Sequence, residues 1–342
     1  MVGVGQTSNR SKGAGQLMIV IILIALAAGA ASALMFASII SGALISLLLF
    51  YLAPLPLMVA ALGWGPLAAT IGGIAAASGL GLMFGLPYCI AFTIMVALPA
   101  WWLGHLALLG RPIAGPGAGN GAAQATPAME WYPVGRILLW IATFAVLTTA
   151  AALLTLGTDA EIITGTLRRG LLRLLSPRDG TSPSDKIEQV INALVFIAPS
   201  AAAIVFMMTL TLNLWLAAKI TATSGRLHRP WPDLKSAELP PMTLAALSAA
   251  IGLCFVGGLL ALLAQIVTTA LVMAYALTGF AVLHTLTLSM KARGLWLTCT
   301  YVMVVMFTWP VLAMTVLGIA DVIFGLRQSY LQRRKPPPVP AS

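Results

Sequence analysis

The chain has 342 residues, 60% of them hydrophobic and 8% charged, with a formal net charge of +10, whereas soluble domains carry roughly 25% charged residues. A water-soluble fold of this size could not cover itself, so its solvent is lipid, where backbone groups are satisfied inside helices or closed barrels. The 19 Lys and Arg are scattered through tails and loops, which excludes a continuous basic domain for nucleic acid and points to anionic lipid headgroups, at roughly 1 kcal/mol per residue near the surface.

The apolar runs are rich in Ala and Leu and exceed the roughly 20 residues that a helix needs to cross a bilayer. Transmembrane strands would show short alternating segments instead. The expected fold is therefore all-α: a polytopic transmembrane bundle of eight or nine helices plus one interfacial amphipathic helix. Residues 1–16 read as a polar N-terminal tail carrying Arg10 and Lys12. Apolarity then runs from Leu17 almost unbroken to Phe50. Ala31-Ser32-Ala33 resembles a cleavage site, but the apolar run continues past it, which favours a retained first helix. Helices are expected over 17–36, 38–62, 65–84 and 87–109, joined by turns such as Gly63-Trp64-Gly65-Pro66 and Gly85-Leu86-Pro87. Together they make a four-helix N-terminal membrane unit, 17–109. A flexible Gly, Ala and Pro-rich linker follows at 110–133, and a C-terminal membrane unit, 134–326, opens with a helix over 134–156.

Within that unit, the segment 162–175 places Ile163, Leu167, Leu171 and Leu174 on one helical face. Arg169 and Arg173 point the other way and Arg168 sits at the margin, the pattern of a helix lying in the headgroup plane. It reads either as a lipid or partner sensor or as a connector resting on the membrane. A turn through Ser184, Asp185 and Lys186 leads to a helix over 188–219. The loop 220–241 carries Arg226, Arg229 and Lys235, and apolar segments follow at 242–265, 267–290 and 296–324. The tail 327–342 is basic and proline-rich, with Arg333-Arg334-Lys335, and is expected to be disordered. If all nine segments cross, ten Lys and Arg fall on one side and nine on the other, so the excess of cations on the cytoplasmic side gives no orientation. That even split leaves eight crossings open, with Trp309-Pro310 or Pro199 as places where a segment bends back.

Helices in lipid approach closely through small residues. Two ladders at four-residue spacing supply them: Ala25, Gly29, Ala33 and Ala37 on the first helix, and Gly65, Ala69, Gly73, Ala77, Gly81 and Gly85 on the third. They read as tight contact within the bundle or as a docking face for a partner membrane protein.

Ionisable groups within a membrane are functional candidates, since each costs roughly a few kcal/mol unless paired or hydrated. His105 and His284 fall near helix ends. Asp321 ends the last apolar run six residues before Arg327, where it either pairs with that arginine or serves a ligand. Asn213 and Gln265 either hydrogen-bond between helices or line a cavity. The candidate ligand-binding set is thus Asn213, Gln265, His284 and Asp321. His105, His284 and Asp321 brought within hydrogen-bonding reach would instead mark an enzyme. No phosphate-binding loop, HExxH or GxSxG motif occurs, and Cys89, Cys254 and Cys299 lack CxxC spacing; no catalytic residue, metal or cofactor is assigned.

Three patches carry a family likeness: Tyr51-Leu52-Ala53-Pro54-Leu55-Pro56 with Gly63-Trp64-Gly65, then Thr278-Gly279-Phe280-Ala281-Val282-Leu283-His284, then Gly318-Ile319-Ala320-Asp321 running on to Arg327. Together they resemble the YybS-like family, multi-pass proteins of the bacterial cytoplasmic membrane with unknown function. That family in turn looks distantly like the substrate-binding membrane subunits of energy-coupling-factor transporters. The resemblance implies a small-molecule binding or transport component, with the ligand among the helices, a coupling subunit docked on the small-residue face of the first helix, and a separate ATPase partner. The alternative is a non-transporting scaffold or regulatory protein that binds partners or anionic lipid.

Overall fold

The computed structural model describes residues 4–113, 128–175, 185–232, 237–307 and 309–332. In chain order the helices are α1 (Val4–Ala37), α2 (Leu44–Leu52), α3 (Pro54–Trp64), α4 (Pro66–Phe84), α5 (Leu86–Phe92), α6 (Leu98–Leu108), α7 (Val134–Leu154), α8 (Ala160–Leu175), α9 (Asp185–Thr223), α10 (Met242–Leu253), α11 (Gly258–Leu286), α12 (Arg293–Met306), α13 (Trp309–Phe324) and α14 (Leu326–Gln332). The chain is an all-α membrane protein. Two compact units share it: Met1–Tyr132 with Met208–Pro232, and Pro133–Met207 with Asp233–Ser342. Helix α9 runs through both, its first part in the second unit and its last in the first.

Among the described residues, seven segments are long and apolar enough to cross a membrane, and the pair α13 and α14, bent by 65°, makes an eighth if taken as one span. A ninth does not form. The expected break between 265 and 267 lies earlier, at Gly257 and Gly258, both at positive φ, because only glycine adopts that backbone without strain. Helix α10 is thereby cut to 12 residues, about 18 Å, which falls short of a core about 30 Å thick. The segment 296–324 likewise divides into α12 and α13 just before Pro310, whose ring and missing N–H suit a helix start and not an interior.

Other boundaries also move. Helix α1 starts at Val4, not Leu17, since nothing from Val4 to Gln16 stops a helix from propagating outward from its apolar part. The two ends of the 110–133 linker pair as antiparallel strands, β1 (Gly110–Ile113) and β2 (Ala128–Trp131), with Arg111 opposite Glu130; residues 114–127 lie outside the described residues. The start of the 327–342 tail is helical, in α14. Ser184, Lys235 and Arg333-Arg334-Lys335 also lie outside the described residues.

In the first unit, α1 and α4 meet backbone to backbone. A Cβ on Gly29 would strike the Gly72 carbonyl, and one on Gly72 the Ala25 carbonyl. Ala25 is fully buried with Ala60 and Ala68, while Ala33 and Ala37 are half-buried. The α4 face that receives α1 is thus the one through Ala68 and Gly72. The ladder through Gly73 and Gly81 faces the other way, where added Cβ atoms would lie 3.3 Å from Ala97 and 3.1 Å from Cys89. Gly65 and Gly85, at φ +96° and +91°, end α3 and α4 as turn glycines, the positive φ being open to residues without a Cβ.

In the second unit, α11 packs on α13 by the same device: Gly279 lies against the Met314 carbonyl and Gly318 against the Tyr275 carbonyl. Ile163 of the amphipathic α8 is fully buried with Leu153, Ala203 and Ile266. The apolar face of α8 therefore begins on protein, while Leu174 and Leu175 in its last turn, like Ile162 in its first, are exposed.

Gly72→Leu should destabilise the purified protein by about 3 kcal/mol or more, since overpacking here meets backbone and not a movable side chain. Ala30→Leu, on the exposed face of the same contact's partner helix, should leave it unchanged. Thermal unfolding in detergent compares the two, and equal stability would refute the seam.

Candidate functional site

On the side of α4 away from α1, a groove of about 370 Å³ opens between α4 and the α5–α6 hairpin arm. Ala69, Gly73 and Ala77 line it from α4, and Thr93, Ala97 and Trp101 from the facing arm. A single π turn, Thr93–Ala97, lies between α5 and α6; such bulges displace the local hydrogen-bond ladder and recur at functional sites. Two of the three hydroxyls lining it are turned onto the backbone: Thr70 donates to the Pro66 carbonyl (3.0 Å) and Thr93 to the Cys89 carbonyl (2.7 Å), while Ser78 lies exposed at the flank. What the groove offers a ligand is apolar surface.

Aromatic and basic residues ring the end of the first unit nearest Trp101. Trp101 stacks on His105, ring centroids 6.3 Å apart. Arg226 lies over Trp64 at 4.8 Å, Lys219 over Trp231 at 5.3 Å and Arg229 over Trp131 at 6.0 Å. Arg229 also donates to the Ala107 carbonyl (3.2 Å) and the Tyr132 carbonyl (3.1 Å), tying the end of α6 to the strand pair. Burial pulls its pKa below the usual arginine value, yet a guanidinium remains charged at neutral pH. Tryptophan and cations together at one level are what a bilayer's headgroup region selects.

The four expected ligand residues do not gather at one place. Asn213 belongs to the first unit; Gln265, His284 and Asp321 belong to the second. Gln265 and His284 sit on α11 separated by 19 positions, about 29 Å along a helix. None lines the groove.

Each has a partner of its own. Pro54 and Pro56 donate no N–H where α2 meets α3, and Asn213, 1% exposed, gives its Nδ2 to the Tyr51 carbonyl at 2.8 Å. Pro199 interrupts the ladder of α9, and Gln265 Nε2 donates to the Phe196 carbonyl at 3.3 Å. His284 Nε2 bonds the Tyr301 hydroxyl at 2.9 Å, and Phe280 stacks on the same ring. Asp321 is held by Arg327, which is 1% exposed: Nη2 lies 2.6 Å and Nε 2.8 Å from Oδ2, and the Arg327 N–H donates to Oδ1 at 2.9 Å. Arg327 Nη2 further donates to the Ala237 carbonyl at 2.9 Å.

On α8, Arg168 lies 3.8 Å from Glu188, while Arg169 donates to Thr166 (2.9 Å) and, like Arg173, is exposed. The feature that sequence reading missed is the groove itself. Its signal was present in the Gly73 ladder, but a ladder does not say whether a neighbouring helix closes over it.

Residues 176–322 match the model of a family described as "Predicted membrane protein (DUF2232)". The match covers less than half of the chain, from just before α9 to the end region of α13, and agrees with an uncharacterised multi-pass membrane protein. No curated protein matches, and no solved structure matches.

Removing one member of a buried ion pair leaves an uncompensated charge and costs roughly 3–5 kcal/mol. Arg327→Leu should therefore lower stability by that order, and Asp321→Leu/Arg327→Leu by less than either single change. Asn213→Leu should cost about 1–3 kcal/mol, because the Tyr51 carbonyl loses its donor in a place without water. Unfolding in detergent measures all four, and a fully additive double change would refute the pairing.

Proposed function

We propose that this multi-pass membrane protein is a binding component for a small apolar or lipid-like molecule. The observation that carries the reading is the groove along Ala69, Gly73 and Ala77, open, apolar and about 370 Å³ in volume, within the range of small-molecule sites. A second groove of similar volume in the other unit, between Ile204, Thr269, Trp309 and Leu312, is apolar as well. The polar groups that would recognise a water-soluble vitamin are engaged elsewhere in large part: the amide nitrogens of Asn213 and Gln265 on the Tyr51 and Phe196 carbonyls, Asp321 on Arg327, with Asn213 Oδ1 alone buried without a partner among these groups. An apolar ligand asks for none of them.

The likeness to YybS-like proteins, and through them to transporter substrate-binding subunits, supports a place in the bacterial cytoplasmic membrane and a role in transport. Active transport would then require a separate ATPase module. A coupling subunit would need a surface other than Ala25 and Gly29, whose face is taken up by α4. The alternative, a scaffold on anionic lipid, is favoured by one observation: Arg169 and Arg173 are exposed on α8 beside Leu174 and Leu175.

Ser78 lies on the exposed flank of the groove, so Ser78→Trp should fill it without disturbing the α1–α4 seam. Purification in mild detergent followed by mass spectrometry of retained small molecules should find a hydrophobic molecule near one per chain in the unmodified protein and little in the variant. Equal retention by both would overturn the reading.

A further inference from the structure

We propose that the turn between α11 and α12 is a phosphate-binding site, filled by the headgroup of a membrane phospholipid. It belongs to the second unit and does not depend on the groove. The starting point is an orphaned donor. Arg293 opens α12, and its Nε is buried with no hydrogen-bond partner. A cation drawn out of water is ordinarily paired, because its desolvation is otherwise uncompensated.

No carboxylate of the unit is placed to pair it. The sequence holds neither Asp nor Glu between Glu238 and Asp321. Asp321 is taken by Arg327, and it lies three positions beyond Gly318, which rests on the Tyr275 carbonyl, nine positions before His284. Glu161 stands on α8, whose Ile163 packs with Ile266 toward the other end of α11, 18 positions from His284, or about 27 Å. Among the described residues, Arg293 is the one charged group that bears on the His284 ring.

The groups around it are donors. His284 Nε2 and the Tyr301 hydroxyl lie 2.9 Å apart, and Phe280 holds the tyrosine ring by stacking at 5.5 Å. With the imidazole N–H donating to the tyrosine oxygen, the tyrosine O–H is left to donate outward. Arg293 Nε and a terminal nitrogen form the planar fork that matches two oxygens of one phosphate. Lys291 is exposed in the same turn, and a Cβ on Gly294 would meet nothing within 4 Å, so there is space beside the first turn of α12. The N-terminus of that helix adds partial positive charge there.

Depth decides which phosphate. The membrane-crossing stretch of α11 ends at Leu286, so the turn begins at the edge of the hydrocarbon. Met290, Leu295 and Trp296 are exposed around the cations, the mixture that the headgroup region selects. No residue of α12 is buried against protein, which leaves lipid as its neighbour. A soluble phosphate would have to leave water for a site edged by apolar side chains.

The test is amide hydrogen exchange of the full chain in detergent, read on the peptide spanning 287–297. The additions are phosphatidylglycerol, diacylglycerol of the same acyl chains, and inorganic phosphate. Phosphatidylglycerol should slow exchange there about tenfold, and diacylglycerol, which lacks the phosphate, should leave it unchanged. Arg293→Gln should abolish the slowing, while Arg293→Lys, which keeps the charge and loses the fork, should retain part of it. Tyr301→Phe keeps the stacking on Phe280 and should weaken it. Equal slowing by the two lipids, slowing by neither, or full slowing in Arg293→Gln would overturn the proposal. Slowing by inorganic phosphate but not by phosphatidylglycerol would overturn the lipid source.

Discussion

Within hydrocarbon there is no water to accept or donate a hydrogen bond, and each backbone group left without a partner costs several kcal/mol. That constraint governs the polar chemistry of this chain. Three of its apolar segments carry prolines in their middles, and in two of them a carbonyl three residues before the proline accepts from an amide side chain of another helix: Tyr51, before Pro54, from Asn213, and Phe196, before Pro199, from Gln265. Asp321 and Arg327 solve the same problem at the α13–α14 bend, where the arginine also takes up the Ala237 carbonyl. These are the side chains that would otherwise look like a ligand's contacts. Their engagement with the backbone is what leaves the open surfaces apolar.

The second determinant is close approach. Because lipid tails are as apolar as leucine, helices gain little by burying large side chains together and associate through packing and polar contacts instead. Gly29 with Gly72 and Gly279 with Gly318 provide such packing in the two units, with one backbone resting on another. Helix α4 has small residues on two faces. One is closed by α1. On the other, the π turn and Trp101 leave space, and the groove results. A stripe of small residues therefore serves both as glue and as a floor, depending on what stands opposite.

Charge then gives the first unit a polarity that the whole chain lacks. Its cations collect at one end among tryptophans, and its single carboxylate is spent on Arg111. The even division of Lys and Arg over the full sequence hides this, because the nine counted on the other side, from Arg168 to Lys186 and from Arg327 to Lys335, all belong to the second unit.

The membrane class, the helical architecture and the existence of tight helix contacts were all legible in the sequence, since composition, run length and four-residue spacing of Gly and Ala report directly on lipid solvation and close approach. The pairing of Asp321 with Arg327 was legible as one of two readings, because six positions across a helix end allow it. Tertiary structure decided the rest. Spacing alone could not choose between the Gly72 and Gly73 faces of α4, which differ by one residue and both consist of small side chains. Nor could it show that Asn213 and Gln265 bond carbonyls near prolines 159 and 66 positions away in sequence, or that the second Gly of Gly257-Gly258 would start a 29-residue helix and reduce α10 to a short one. Sequence local to a helix sets what that helix is able to touch; which neighbour it meets, and which surface stays open to lipid, depends on residues far along the chain.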